Sequence, residues 1–174
     1  MTDVERFYAE HHDGVFRYLR RVVGSSEPAR DLTQEVFLRV SRAGVPEASD
    51  IGRRAWVFRI ARNLALNYLR DGRRRPATVP LDESAVPASQ ELALALSDAI
   101  AGLGDADRDV FLLRESAGLS YAEIAQACDV PIESVRSRLH RTRQALRATL
   151  GASLALREQR GVRCLTPGGR QDDE

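Results

Sequence analysis

One proline-rich stretch interrupts the helical periodicity of this chain and divides it in two. Residues 76–90 contain three prolines, no basic residue and no sustained hydrophobic period, which is typical of a linker. On both sides of it, apolar residues recur at steps of three and four, the spacing of helices that pack on one face. No segment alternates as a strand does. The sequence therefore predicts an all-α fold of two small helical domains joined by a flexible acidic linker.

Capping and helix-breaking residues predict the boundaries. Residues 1–75 form the predicted amino-terminal domain, a three- to four-helix bundle with helices over 4–23, 28–42 and 53–75. Residues 91–150 form the predicted carboxy-terminal domain, which ends in a helix over 132–150. Asp3 is the expected N-cap of the first helix, and Asp105 or Asp107 caps a helix in the second domain. Residues 151–174 are an extension, of which 165–174 are expected to be disordered.

Hydrophobic spacing also predicts which residues face the core. In the first helix the expected inward residues are Phe7, Tyr8, His11, Val15, Phe16, Leu19 and Val23. In the third helix they are Val57, Ile60, Ala61, Leu64 and Tyr68. A single stripe on each helix predicts that each packs mainly on one side.

Charge is segregated along the chain although the net charge is only +1. Residues 1–75 hold 15 arginines against 10 acidic residues, residues 76–135 hold 2 against 11, and residues 136–174 hold 9 against 4. Two basic blocks separated by an acidic one predict two anion-binding surfaces. All 26 cationic residues are arginines. Coding bias in a GC-rich genome explains this more simply than selection for phosphate or guanine recognition.

Motifs of catalysis and metal binding are missing from the sequence. It has no glycine-rich phosphate loop, no Gly-x-Ser-x-Gly and no His-Glu-x-x-His pair, so nothing favours an enzyme. Cys128 and Cys164 are too few for a disulfide framework and match no zinc spacing, and we expect both to be reduced. No apolar run reaches the ~20 residues of a membrane helix, and the amino terminus lacks a signal-peptide layout. We expect a cytoplasmic binding protein without cofactor, metal or small-molecule substrate.

Residues 120–150 combine the features of a helix-turn-helix. Ser120 and Glu123 have the spacing of a capping box, residues 129–131 make a tight turn, and the last helix is basic on its outer side. Asp129 is expected to adopt left-handed geometry in that turn. A helical hairpin without a DNA-binding role is the simpler alternative.

The third helix has a second distinctive face. An aromatic ring, two amides and two guanidinium groups share one side of it: Trp56, Arg59, Asn63, Asn67 and Arg70. Stacking, base-edge hydrogen bonding and phosphate contact are thereby available together. The residues alone leave open an ordinary solvated face with a half-buried tryptophan.

Two stretches of the chain resemble conserved regions of bacterial sigma factors. Residues 31–39, DLTQEVFLR, and 55–70, AWVFRIARNLALNYLR, are similar to region 2. Residues 118–125, GLSYAEIA, and 134–143, SVRSRLHRTR, are similar to region 4. Their order and the absence of room for further regions resemble the extracytoplasmic-function (ECF) subgroup of the sigma-70 family. The resemblance implies a factor that binds core RNA polymerase, recognises the minus 35 and minus 10 promoter elements and promotes DNA opening for transcription initiation.

The resemblance also implies roles for individual residues. Contacts to the minus 10 element are expected from Trp56, Arg59, Arg62, Asn63, Asn67 and Arg70, and contacts to the minus 35 element from Arg136, Ser137, Arg138, His140, Arg141 and Arg143. Contacts to the β′ clamp helices of the polymerase are expected from Asp31, Gln34, Glu35, Leu38 and Arg39. The β flap of the polymerase and an anti-sigma factor are further implied partners.

Two other classes of protein compete with this interpretation. A polymerase-independent helix-turn-helix regulator would use its amino-terminal bundle to sense a signal or to dimerise. A scaffold or RNA-binding adaptor would bind with steep salt dependence and little sequence preference.

Overall fold

Seven helices make up the part of the chain that the structure describes. This computed structural model describes residues 2–71 and 87–163, with side chains for 2–71 and 93–151. The helices are α1 (Asp3–Val23), α2 (Ser26–Ala43), α3 (Asp50–Arg70), α4 (Pro87–Ala101), α5 (Asp105–Glu115), α6 (Tyr121–Cys128) and α7 (Ile132–Arg163). These ranges contain no strand, and the predicted all-α fold of two helical domains is confirmed. Residues 87–90, predicted as the end of the linker, form the first turn of α4 instead, because proline is compatible with the first turn of a helix. Residues 76–86 of the predicted linker, Cys164 and the expected disorder of 165–174 lie outside the described residues.

Several helix ends differ from the predicted ones. Thr2, not Asp3, caps α1: its hydroxyl accepts a hydrogen bond from the backbone of Glu5, whose carboxylate accepts one from the Thr2 backbone. Gly104 is the N-cap of α5, and Asp105 begins the helix itself. Acidic residues in a first turn satisfy the helix dipole without capping, so the charge pattern did not separate the two positions.

Two helices are displaced or extended relative to the predictions. Ser49 caps α3 by accepting a hydrogen bond from the Gly52 backbone, so this helix begins at Asp50 and ends at Arg70. Helix α7 continues through Gly151 to Arg163, although the prediction ended it at residue 150. A helix tolerates an isolated glycine at a cost of about 1 kcal/mol, so Gly151 is not a stop signal.

The buried faces of α1 and α3 are wider than, or rotated from, the predicted stripes. In α1, Tyr8 is 45% exposed and Phe16 is half-buried, whereas Tyr18 is buried. In α3, Ile60 and Tyr68 are only half-buried, whereas Ala55, Phe58 and Ala65 are buried. The reason is that α3 contacts α1 and α2 on one side and α6 on another. The prediction assumed one packed side.

The two domains pack directly on each other. Within the amino-terminal domain α1, α2 and α3 contact one another, and within the other domain α7 contacts α4, α5 and α6. Between the domains, α3 packs on α6 and α1 packs on α5. Buried residues of both domains form one hydrophobic cluster, which includes Phe58 and Ile124. The sequence predicted the two domains but gave no sign of this contact.

Candidate nucleic-acid interface

The helix-turn-helix depends on a capping box and a left-handed turn residue, both of which were predicted from the sequence. The Ser120 backbone donates to Oε2 of Glu123 at 2.6 Å, and the Glu123 backbone donates to Oγ of Ser120 at 3.2 Å, which completes the capping box of α6. Asp129 ends α6 in the left-handed conformation, at φ 55°. Aspartate tolerates this geometry better than most residues, and the turn leads into α7 after Pro131.

Helix α7 separates a buried side from an outer side. Val135, Leu139, Thr142 and Leu146 are buried. Four residues expected to approach bases are exposed: Arg136, Ser137, His140 and Arg141. Arg136 pairs with Glu133 at 2.9 Å, and Arg141 pairs with Asp107 at 3.1 Å. The Arg136–Glu133 pair is exposed on both sides and therefore weak. Asp107 is half-buried, but the Arg141 guanidinium is exposed, so both arginines are accessible to a ligand.

Arg138 and Arg143, the expected phosphate contacts, are half-buried at the edge of the outer side. Arg143 donates to the Tyr121 hydroxyl and to Oε1 of Glu115, both at 3.4 Å. The hydrogen bond to Tyr121 is the main cause that raises the Arg143 pKa. These contacts join α7 to α5 and α6 and hold Arg143 beside the four exposed residues.

Four of the six expected minus 10 residues remain open on α3. Asn63, Asn67 and Arg70 are exposed, and Trp56 is half-buried, with its ring centroid 6.4 Å from that of Phe7. The aromatic ring therefore packs against α1, and the two amides are exposed on the same helix. This part of the predicted arc is available to nucleic acid.

The other two expected minus 10 residues contact the carboxy-terminal domain. Arg59 donates to the backbone oxygen of Gln126, and Nε of Arg62 donates to Oδ2 of Asp109. Asp109 also accepts a hydrogen bond from the Tyr18 hydroxyl at 2.6 Å. Asp109 is 9% exposed, so one buried carboxylate on α5 joins α1 to α3.

Electrostatics at this contact favour a charged guanidinium beside a protonated phenol. Burial, followed by the charge of Asp109, raises the Tyr18 pKa well above its ordinary value, so the hydroxyl stays a donor. Burial is the largest single influence and lowers the Arg62 pKa, but the charge and hydrogen bond of Asp109, together with smaller effects of Cys128 and Tyr18, raise the pKa overall. Burial and Asp109 also raise the pKa of the nearby Cys128 thiol to about 11, which keeps this half-buried cysteine neutral.

Sequence reasoning missed Tyr18 and Asp109. Tyr18 is absent from the core stripe predicted for α1, and no role was predicted for Asp109. The carboxyl and hydroxyl groups lie 91 positions apart in the sequence, and no local pattern indicates such a pair. Helical spacing could have placed Tyr18 in the core, because it precedes the buried Leu19 and follows the buried Val15 by three positions.

The predicted polymerase-binding residues share the outer side of α2. Asp31, Gln34, Leu38 and Arg39 are exposed, and Glu35 is half-buried. Nε of Arg39 donates to Oε1 of Glu35 at 2.7 Å, and Leu38 is 45% exposed. These side chains are therefore accessible to a partner protein.

Two further features are absent from the described parts of the chain. No group of three or more His, Cys, Asp or Glu residues there is placed to hold a metal ion. In the same ranges, no helix combines the length and apolarity needed to cross a bilayer.

Both domains match family models of transcription proteins. Residues 7–75 match "Sigma-70 region 2" and residues 93–146 match "Sigma-70, region 4". The ECF RNA polymerase sigma factor SigE of Mycolicibacterium smegmatis is 35% identical over 158 residues, which cover 84% of this chain and 61% of that protein. The ECF RNA polymerase sigma factor SigC of Mycobacterium tuberculosis is 32% identical over 154 residues, which cover 83% of this chain and 82% of that protein.

Two solved structures share the fold. RpoE of Bartonella quintana, crystallised with the anti-sigma factor NepR, has a TM-score of 0.68 at 20% identity, over 87% of this chain and 98% of that one. CnrH, solved with the cytosolic domain of CnrY, has a TM-score of 0.67 at 23% identity, over 86% of this chain and 88% of that one.

A helical bundle followed by a helix-turn-helix with exposed arginines defines a two-domain DNA-binding protein. The two family models, matched in order, and the similarity to SigC over more than four fifths of each chain define this class more closely. The chain belongs to the ECF subgroup of the sigma-70 family of RNA polymerase sigma factors. The family expected from the sequence is thereby confirmed.

Proposed function

We propose that this chain directs core RNA polymerase to promoters by contacting two DNA elements with its two domains. In this proposal the domain of residues 1–75 binds the polymerase and the minus 10 element, residues 76–86 link the domains, and the domain that begins with α4 at Pro87 and extends to residue 150 binds the minus 35 element. The observation that carries the proposal is the presence of region 2 and region 4 in one chain. A polymerase-independent regulator is not favoured, because its helix-turn-helix does not account for a complete region 2.

At the minus 35 element, α7 enters the major groove. Arg136, Ser137, His140 and Arg141 approach base edges, where a guanidinium group suits O6 and N7 of guanine. Arg138 and Arg143 contact phosphates and fix the orientation of the helix. Their placement at the edge of the outer side of α7 supports this division of roles.

At the minus 10 element, α3 captures an unstacked base. Trp56 supplies a stacking surface, and Asn63 and Asn67 supply hydrogen bonds to base edges. Arg59, Arg62 and Arg70 contact phosphates. Because Arg59 and Arg62 are held by Gln126 and Asp109, we infer that the two domains separate before α3 engages DNA.

Further partners follow from the family. The outer side of α2 docks on the β′ clamp helices through Asp31, Gln34, Glu35, Leu38 and Arg39, and the carboxy-terminal domain contacts the β flap. An anti-sigma factor controls access to these surfaces. We further propose that the protein acts in the cytoplasm and that it is not itself an enzyme.

Run-off transcription with purified core polymerase tests the proposal, using promoters from the region upstream of the gene for this chain. We expect defined transcripts only when the chain is added. Leu38→Glu is expected to abolish co-elution with core polymerase, because it places a charge in the centre of the docking surface. Ile51→Glu is the matched control, since Ile51 is similarly exposed at 44% but lies on α3. Failure of the unmodified chain to bind core polymerase at low salt contradicts the proposal.

A further inference from the structure

A second concentration of arginines lies in a cavity between the two domains. The cavity has a volume of about 600 Å³. Its amino-terminal wall consists of Arg17, Arg20 and Arg21 of α1 and Arg54 of α3, and its other wall is the turn between α5 and α6, residues 115–118. None of these arginines belongs to the surfaces assigned above to DNA or to polymerase.

Two of the arginines are held in place by uncharged acceptors. Nη2 of Arg54 donates to the backbone oxygen of Ala117 at 2.8 Å, and Nε of Arg17 donates to the backbone oxygen of Ser116 at 3.4 Å. Gly118 makes this turn possible, because its φ of +67° lies in the left-handed region. Carbonyl groups orient the two guanidinium groups without neutralising their charge; of the two, Arg54 also has a carboxylate, that of Glu123, within ion-pair distance.

Carboxylates do not balance the charge of the cavity. Glu115 is the one acidic residue among the described residues that line it, and it already pairs with Arg143 at 3.4 Å. The buried Glu123 lies 3.6 Å from Nη1 of Arg54 and compensates one charge in part. Within residues 2–71 and 93–151, Arg20 and Arg21 take part in no ion pair.

One donor in the cavity wall is buried without an acceptor. Nε of Arg20 is shielded from solvent and has no hydrogen-bond partner in the described part of the chain. A buried, unsatisfied donor on a charged group is costly, and the few that occur in native proteins call for an explanation. Within the described residues, the fold therefore leaves both the charge of Arg20 and this donor without a partner.

We propose that this cavity binds a compact polyphosphate, either inorganic or the phosphate chain of a nucleotide. Guanidinium groups bind phosphate oxygens through paired hydrogen bonds, and several of them here converge from two helices. The volume lies within the range of small-molecule and cofactor sites. The recess has a wall from each domain, which suits a small ligand better than a nucleic-acid duplex.

Binding at this site favours the closed arrangement of the domains. The wall from 115–118 is beside the arginines only while α1 and α3 pack on α5 and α6. A ligand that touches both walls therefore stabilises the packed form by its difference in affinity for the two arrangements. Because Arg59 and Arg62 are covered in that form, the polyphosphate acts as an inhibitor of minus 10 recognition.

Isothermal titration of the full chain with inorganic tripolyphosphate tests the site, without polymerase or DNA. Arg20→Ala and Arg54→Ala are expected to weaken binding about tenfold or more, since each removes charge-assisted hydrogen bonds. Arg42→Ala is the matched control, because Arg42 is exposed at the other end of the bundle, in the last turn of α2. Glu115→Gln is expected to tighten binding several-fold, because it removes the carboxylate that lines the cavity. This gain cannot result from misfolding.

A parallel titration with ATP identifies the source of the phosphate. Tighter binding of ATP than of tripolyphosphate assigns the site to a nucleotide, and equal or weaker binding assigns it to the inorganic chain. Asp109→Asn is expected to weaken either ligand by loosening the contact between the domains. Equal losses in Arg20→Ala and Arg42→Ala, or displacement of tripolyphosphate by a single-stranded oligonucleotide at equal phosphate concentration, overturn the proposal. These results do not depend on promoter recognition, so either proposal can fail alone.

Discussion

Helices α3 and α7 both carry arginines suited to DNA, but the groups that these arginines contact differ in burial. On α7, Arg136 pairs with the exposed Glu133 and Arg141 with the half-buried Asp107, and both guanidinium groups are themselves exposed. On α3, Arg62 binds a carboxylate that is 9% exposed, and Arg59 binds a backbone oxygen of the other domain. The proposed minus 35 surface is therefore open in the packed form, whereas the proposed minus 10 surface is partly covered.

This difference indicates that the arginines of the two basic surfaces exchange their intramolecular partners for DNA in different ways. A guanidinium group binds a carboxylate and a phosphate through the same hydrogen bonds, so Asp109 competes directly with a DNA phosphate for Arg62. Competition at an exposed pair on α7 is weak because water and salt already screen the charges. Competition at α3 requires the domains to move apart.

Asp109→Asn should have the largest effect, because Asp109 serves both Tyr18 and Arg62. Removing one partner of a mostly buried ion pair is expected to lower the free energy of unfolding by about 3 kcal/mol. In small-angle scattering the radius of gyration should rise as the domains separate. Asp105→Asn is the control, because the Asp105 side chain is 90% exposed and its pair with Arg108 is weak. An unchanged radius of gyration for Asp109→Asn contradicts the inference that Asp109 holds the two domains together.

The double change Asn63→Ala and Asn67→Ala tests the open part of α3. Both side chains are exposed, so the fold should remain intact and closed promoter complexes should still form. DNA opening should be lost, because no hydrogen bonds remain to hold the flipped base. Permanganate reactivity of the minus 10 thymines reports the opening. Normal reactivity in the double variant would place base capture elsewhere.

Arg136→Ala and Arg141→Ala test whether α7 reads bases. Each change is expected to weaken binding to the cognate minus 35 element by about 1–3 kcal/mol through a single base pair. Gel-shift titrations of holoenzyme with single-base promoter variants measure this effect. Random DNA is the control, and an equal loss of affinity for it shows that these arginines contact phosphates only.

Acidification should produce the smallest effect. It should lower the free energy of unfolding through His11 of α1, which packs near α3. His11 is buried beside Phe7, with ring centroids 4.4 Å apart, and Phe7 in turn contacts Trp56. Burial lowers the His11 pKa below its ordinary value of 6.5. The neutral histidine contributes stability that is full above pH 6.5 and is lost as the pH falls, because unfolding then takes up a proton.

Urea unfolding at pH 7.5 and pH 5.5 measures the effect of His11. The His11→Gln variant is expected to lose less stability between these two pH values than the unmodified chain. His140→Gln, on the exposed side of α7, should keep the full decrease. Equal decreases in all three proteins would remove His11 as the cause.

The local parts of the site could be predicted from the sequence because their causes are local. The capping box of Ser120 and Glu123, the left-handed Asp129 and the outward position of Arg136 and Arg141 depend on residues within a few positions of one another. The same holds for the outer side of α2. In contrast, Tyr8 was assigned to the core and Tyr18 was not, because helical spacing does not say how many neighbours a helix has.

The sequence by itself determined the helical periodicity, the two domains and the outward arginines of α7. These features arise from short-range interactions in turns, caps and amphipathic faces. Only the tertiary structure decided that α3 packs on α6, that Asp109 holds Tyr18 and Arg62, and that four arginines meet in one cavity. These features depend on side chains far apart in the chain, whose contacts form only when the domains pack together.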